Sequence, residues 1–95
     1  MDLKLSVKGK EFDLKSSDYK LSAKSYEDRV IIDFSFISTY KPFHKRLVMG
    51  EKIFIYIKEL DLTLENATFL GKESPDEKEE EYGWRLSFQA ICLKD

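Results

Sequence analysis

From Tyr82 to Cys92 every second residue is apolar, with Tyr82, Trp84, Leu86, Phe88, Ala90 and Cys92 in one phase and mostly polar residues between them. Side chains alternate faces along a strand, whereas a helical face recurs every three or four residues. A period of two held this long therefore specifies a β-strand with one buried face. The same period recurs in Leu3-Lys-Leu-Ser-Val7, in Phe12-Asp-Leu14, in Tyr19, Leu21 and Ala23, and in Val30, Ile32, Phe34 and Phe36. Lys8-Gly-Lys-Glu11 and Ser25-Tyr-Glu-Asp-Arg29 interrupt it where hairpin turns would fall.

Two strands depart from simple alternation. Ile53-Phe-Ile-Tyr-Ile57 is apolar throughout, and Ile31 and Ile37 add apolar residues to the second face of the Val30–Phe36 strand. Such strands are central, or covered on their far side. After Leu62 and Leu64 the alternation resumes one residue out of phase at Ala67 and Phe69. A β-bulge near Glu65-Asn66 would absorb that slip. Gly71 to Gly83 encloses Ser74-Pro-Asp-Glu-Lys-Glu-Glu-Glu81, whose charge and proline predict an exposed loop.

These elements predict an all-β fold, a small antiparallel barrel or sandwich of about six to seven strands joined mainly as a meander. At 95 residues it is a single domain, 1–95, with one hydrophobic core. The one helical candidate lies near residues 42–49: Pro42 suits a first helical position, Phe43 and Leu47 share a face, and Gly50 suits the position past the end. No stretch approaches the roughly 20 apolar residues of a membrane span, and no leader-like segment opens the chain. The expectation is a cytoplasmic protein. In that setting Asn66-Ala67-Thr68 is a chance match to a glycosylation acceptor. The single cysteine, Cys92, falls in the apolar phase of the last strand and is expected to be a buried, inert thiol.

Charge is spread unevenly: +1 over residues 1–30, +3 over 31–58 and −6 over 59–95, for a net −2. An acidic total argues against a nucleic-acid coat protein, whose affinity comes from neutralising many phosphates. The +3 segment holds Lys41, His44, Lys45 and Arg46 beside Tyr40 and Phe43. Cations among aromatics can grip a phosphate and stack a base, so this stretch is the candidate contact for an anion, a nucleotide or an acidic partner. The competing reading packs Phe43 and Leu47 on the barrel and leaves the cations in water.

Metal and catalytic chemistry find little support. One cysteine and one histidine in unrelated segments do not make a zinc site, and the acidic loop lacks the alternating ligands and turn glycine of a calcium loop. No glycine-flanked serine elbow accompanies His44. The chain is expected to be non-enzymatic, without cofactor, and to work through protein contacts as an adaptor or a self-associating component. Ile31, Ile37, Phe54 and Tyr56, on the second faces of their strands, are the candidate apolar interface.

The order Asp33-Phe-Ser35 with Ser38, then Gly50-Glu-Lys-Ile53, then Tyr82-Gly-Trp-Arg-Leu-Ser-Phe88 resembles that of the PilZ domain. PilZ domains are small β-barrels that serve as bacterial cyclic-di-GMP receptors and as pilus or flagellar adaptors. The likeness covers somewhat more than half of the chain, and Ser38 stands where the family's Asp-x-Ser-x-x-Gly motif ends in glycine. The family's nucleotide receptors carry paired arginines upstream of that motif, whereas Arg29 here has no second arginine before it. The resemblance thus implies a protein partner rather than a cyclic dinucleotide.

Overall fold

The structure, a computed structural model, describes residues 1–39, 43, 46–73 and 83–94. Alternation becomes seven antiparallel strands: β1 (Leu3–Val7), β2 (Lys10–Leu14), β3 (Tyr19–Ser25), β4 (Arg29–Ser38), β5 (Lys52–Ile57), β6 (Leu62–Glu73) and β7 (Trp84–Leu93). The β1–β2 hairpin closes through Lys8 and Gly9, both at positive φ (50° and 79°). That conformation gives a two-residue turn whose twist matches the strands. The β3–β4 hairpin closes where the Tyr26 N–H donates to the Arg29 carbonyl at 2.7 Å. Asp61, left-handed at φ 46°, ends the 3-10 turn Lys58–Leu60 that joins β5 to β6.

All seven strands form one sheet in the order β2-β1-β5-β6-β7-β4-β3, curled into a half-barrel. The sandwich alternative falls, because the described strands make a single sheet. The meander holds where β1–β2, β3–β4, β5–β6 and β6–β7 pair in sequence, and breaks where β2 leads to β3 and β4 to β5 without pairing. The first link is the short 3-10 turn Ser16–Asp18, pinned by Asp18 N–H to the Lys15 carbonyl at 2.8 Å and Lys15 N–H to the Asp18 carboxylate at 3.0 Å. So short a link between the two outermost strands brings the edges of the sheet toward each other. The Phe12 ring of β2 lies 5.1 Å from that of Phe36 in β4, so aromatic packing spans the seam that backbone pairing leaves open.

Two register shifts accompany the curl. Ile53 pairs with Ala67 and Ile55 with Leu64, so Phe54 faces both Glu65 and Asn66. This is the bulge that the phase slip demanded. A second shift between Phe69 and Gly71 leaves Leu70 unpaired, and Gly71 (φ 143°) lies inside β6 rather than at its end. Extra residues of this kind bend and twist a strand locally, which is how a sheet curls.

The inner face forms the core. Leu3, Leu5, Val7, Phe34, Phe36, Ile55, Ile57, Leu64, Leu86 and Phe88 are buried, with Phe36 stacked 5.8 Å from Phe88 and 5.7 Å from Phe34. Phe43 and Leu47 are buried against this cluster, Phe43 with its ring 5.1 Å from Phe12. The helix expected near 42–49 falls partly outside the described residues; Leu47 and Val48 are not helical, so it does not reach 49. Gly50 instead occupies a turn, at φ 85° with Glu51 N–H donating to the Val48 carbonyl at 3.0 Å.

Candidate functional site

The four predicted interface residues lie on the outer face of the sheet, on two strands. Phe54 and Tyr56 belong to β5, and Ile31 and Ile37 to β4, with β6 and β7 between them. Phe54, opposite the bulge, is 55% exposed. Tyr56 is half-buried between Ser6 and Thr63, its partners on the flanking strands. It walls an open groove of about 260 Å³ whose lining includes Lys4, Glu11, Asp13 and Lys58. At the end of this groove the Glu59 carboxylate accepts the Lys4 N–H at 2.7 Å, and that bond holds the carboxyl below its ordinary value.

Ile31 belongs to a different patch. It pairs with Ile91 of β7, which is 55% exposed, and Leu93 two residues on is 79% exposed. Here β3, β4 and β7 run past the body of the barrel. β6 pairs with β7 only from Arg85 to Gln89 and with β5 from Leu62 to Thr68. Beyond Gln89 the sheet is therefore a three-stranded wing, whose inner phase is buried at Ile32 and Ala90 and opens at Val30, half-buried, and Cys92, exposed. The expectation of a buried Cys92 is thus corrected. Alternation placed it on the inner face, but no described strand covers that face at this point. The missed signal was the consecutive run Ile91-Cys92-Leu93, the same two-faced pattern that marks Ile53–Ile57.

Of the basic stretch, Lys41, His44 and Lys45 lie outside the described residues. Arg46 is exposed, while Phe43 and Leu47 are buried. The following segment is tied to the second bulge of β6 by Gly50 N–H to the Phe69 carbonyl at 2.8 Å and Phe69 N–H to the Glu51 carbonyl at 2.9 Å. Met49 is exposed and lines, with Leu70, an open hollow of about 520 Å³; Val48 before it is exposed as well. The Lys8 ammonium, 2.9 Å from Glu51, lowers the Glu51 carboxyl below its ordinary value, with help from the Val48 N–H.

Asp33 and Ser35, of the PilZ-like motif, also point outward from β4. Gln89 donates to Asp33 at 3.0 Å and Arg85 to Ser35 at 3.1 Å, so the neighbouring strand satisfies both. Among the described residues no three His, Cys, Asp or Glu side chains stand together to hold a metal ion, and no helix is long and apolar enough to cross a membrane. No family model, curated protein or solved structure matches this chain.

Proposed function

We propose that this protein is a small non-enzymatic binding or assembly module of the cytoplasm that acts through protein–protein contacts. The observation that carries the reading is the patch formed by Ile31, Ile91 and Leu93 on the wing, where register joins apolar residues that water otherwise covers. Contiguous exposed apolar groups of this kind mark interfaces, whereas singly scattered ones do not. An exposed free thiol at Cys92 fits a reducing compartment. The adaptor role that the PilZ resemblance implies points the same way.

The test is site-directed photo-crosslinking in cells, with a photoreactive phenylalanine in place of Ile91 and, as control, in place of Lys20 on the outer face of β3. Intermolecular cross-links from position 91 and none from position 20 support the reading, whether the captured chain is another protein or a second copy. Only intramolecular products from position 91 would overturn it. Titration with cyclic-di-GMP and a short single-stranded oligonucleotide is the counter-test. Salt-sensitive binding lost in Arg46→Ala would replace protein contact with a phosphate site.

A further inference from the structure

We infer that the open side of β7 pairs with the same segment of a second copy of this chain, antiparallel across a two-fold axis at Cys92. The inference rests on the protein-contact reading and narrows the partner to self. β4 accompanies β7 as far as Leu93, but β6 leaves it after Gln89. Among the described residues, Ala90 to Leu93 therefore have a strand on one side only.

Backbone direction determines which groups are free. The Lys94 N–H donates to the Asp28 carbonyl at 3.0 Å, on the β4 side. Because N–H and C=O groups alternate sides along an antiparallel strand, Ala90 and Cys92 also face β4, and Ile91 and Leu93 present theirs to the open side. With the axis at Cys92, Ile91 of one copy stands opposite Leu93 of the other, and the reverse pair repeats it. These are the residues with outward backbone groups, so each pair exchanges two backbone hydrogen bonds. Cys92 then meets Cys92 in the close, non-hydrogen-bonded position, with Cα atoms about 4.5 Å apart, within reach of a disulfide.

Side chains agree with this register. On the outer face the row runs Ile31, Ile91, then Leu93 and Arg29 of the second copy. On the inner face it runs Val30, Cys92, then Cys92 and Val30 of the second copy. No charged side chain lies among Ile91, Cys92 and Leu93, the residues that meet across the axis. Shifting the axis to Ile91 would set Leu93 against Gln89, whose open side β6 already occupies. Self-pairing through the outer edge of β3 is disfavoured: an axis at Ser22 sets Lys20 against Lys24 in both directions, and like charges directly opposite repel.

Sedimentation of the full chain over a wide concentration range, with and without the thiol oxidant diamide, tests the pairing. The expected result is a monomer–dimer equilibrium, with diamide trapping a disulfide-linked dimer. Ile91→Lys and Leu93→Lys should each weaken association by about tenfold or more, while Lys24→Ala leaves it intact. Circular dichroism establishes that each variant is folded, and Leu93, being the more exposed, gives the safer variant. A monomer at every concentration overturns the pairing, as does a dimer indifferent to both lysine variants or one that diamide does not link. A monomer that still cross-links another protein from position 91 removes the two-fold pairing while leaving the protein-contact reading in place.

Discussion

Among the described residues the sheet leaves backbone unpaired along β2, along the outer side of β3 and at the last residues of β7, and the latter two are built in opposite ways. β3 carries Lys20 and Lys24 on its outer face, at spacing that makes self-pairing repulsive, and its inner residues after Leu21 are small. Lysines on an edge strand are a common means of blunting it against another chain. The end of β7 has Ile91, Cys92 and Leu93 in succession and no charge before Lys94. A free edge flanked by apolar side chains is a pairing site. The contrast teaches that exposed backbone alone does not define an interface; the side chains beside it decide whether pairing is blocked or invited.

Both edges depend on the barrel body, so the largest effect should come from there. Phe36→Ala removes a ring packed on Phe12, Phe34 and Phe88 and should cost about 3–5 kcal/mol of stability, read by urea unfolding. Gly83→Ala should cost on the order of 1–3 kcal/mol, because Gly83 has φ 96° and an added Cβ would lie 2.6 Å from the Ser38 carbonyl oxygen. That change strains the start of β7 while leaving its free end alone, so association measured on the folded fraction should persist.

Exchanging the character of the two edges sharpens the comparison. Leu93→Lys should change stability by less than about 0.5 kcal/mol, as exposed substitutions do, yet suppress dimerisation. The double change Lys20→Thr/Lys24→Thr should leave folding intact and add a second association through β3, seen as species larger than the dimer in light scattering. Loss of dimer in the β3 variant, or none in the β7 variant, would reverse the assignment.

The smallest effect concerns acid. Glu59 and Glu51 have carboxyl groups held below their ordinary value of 4.5, Glu59 chiefly by the Lys4 N–H and Glu51 chiefly by Lys8. A depressed carboxyl contributes stability that is present above its unfolded value and is lost as pH falls through its folded one. Stability should therefore decline below pH 4.5, and Glu59→Gln should flatten that decline slightly in unfolding curves recorded from pH 5 downward. Because these residues touch neither free edge, association at neutral pH should not change.

Strand existence was legible in the sequence because the period of two is written into single residues, and the bulge at Glu65-Asn66 because a slip between Leu64 and Ala67 has no other cheap remedy. Strand order was not. The links through Ser16–Asp18 and residues 39–51 carry turn and capping signals but nothing that says which strand lies beside which. For the candidate site the limit is similar. Alternation assigns Ile31, Phe54 and Cys92 to faces, yet whether a face is covered depends on where β6 parts from β7, a long-range fact with no local signature. Hence alternation points to Ile31 without Ile91, its partner across the strands, and assigns Cys92 to the core.

Concentration-dependent amide hydrogen exchange, resolved by residue, tests the central claim most directly. Protection of the Ile91 and Leu93 amides should rise as concentration increases, while the amides of β3 exchange at a rate independent of concentration. Free exchange at Ile91 and Leu93 at every concentration, or concentration-dependent protection that appears in β3 instead, would contradict the claim.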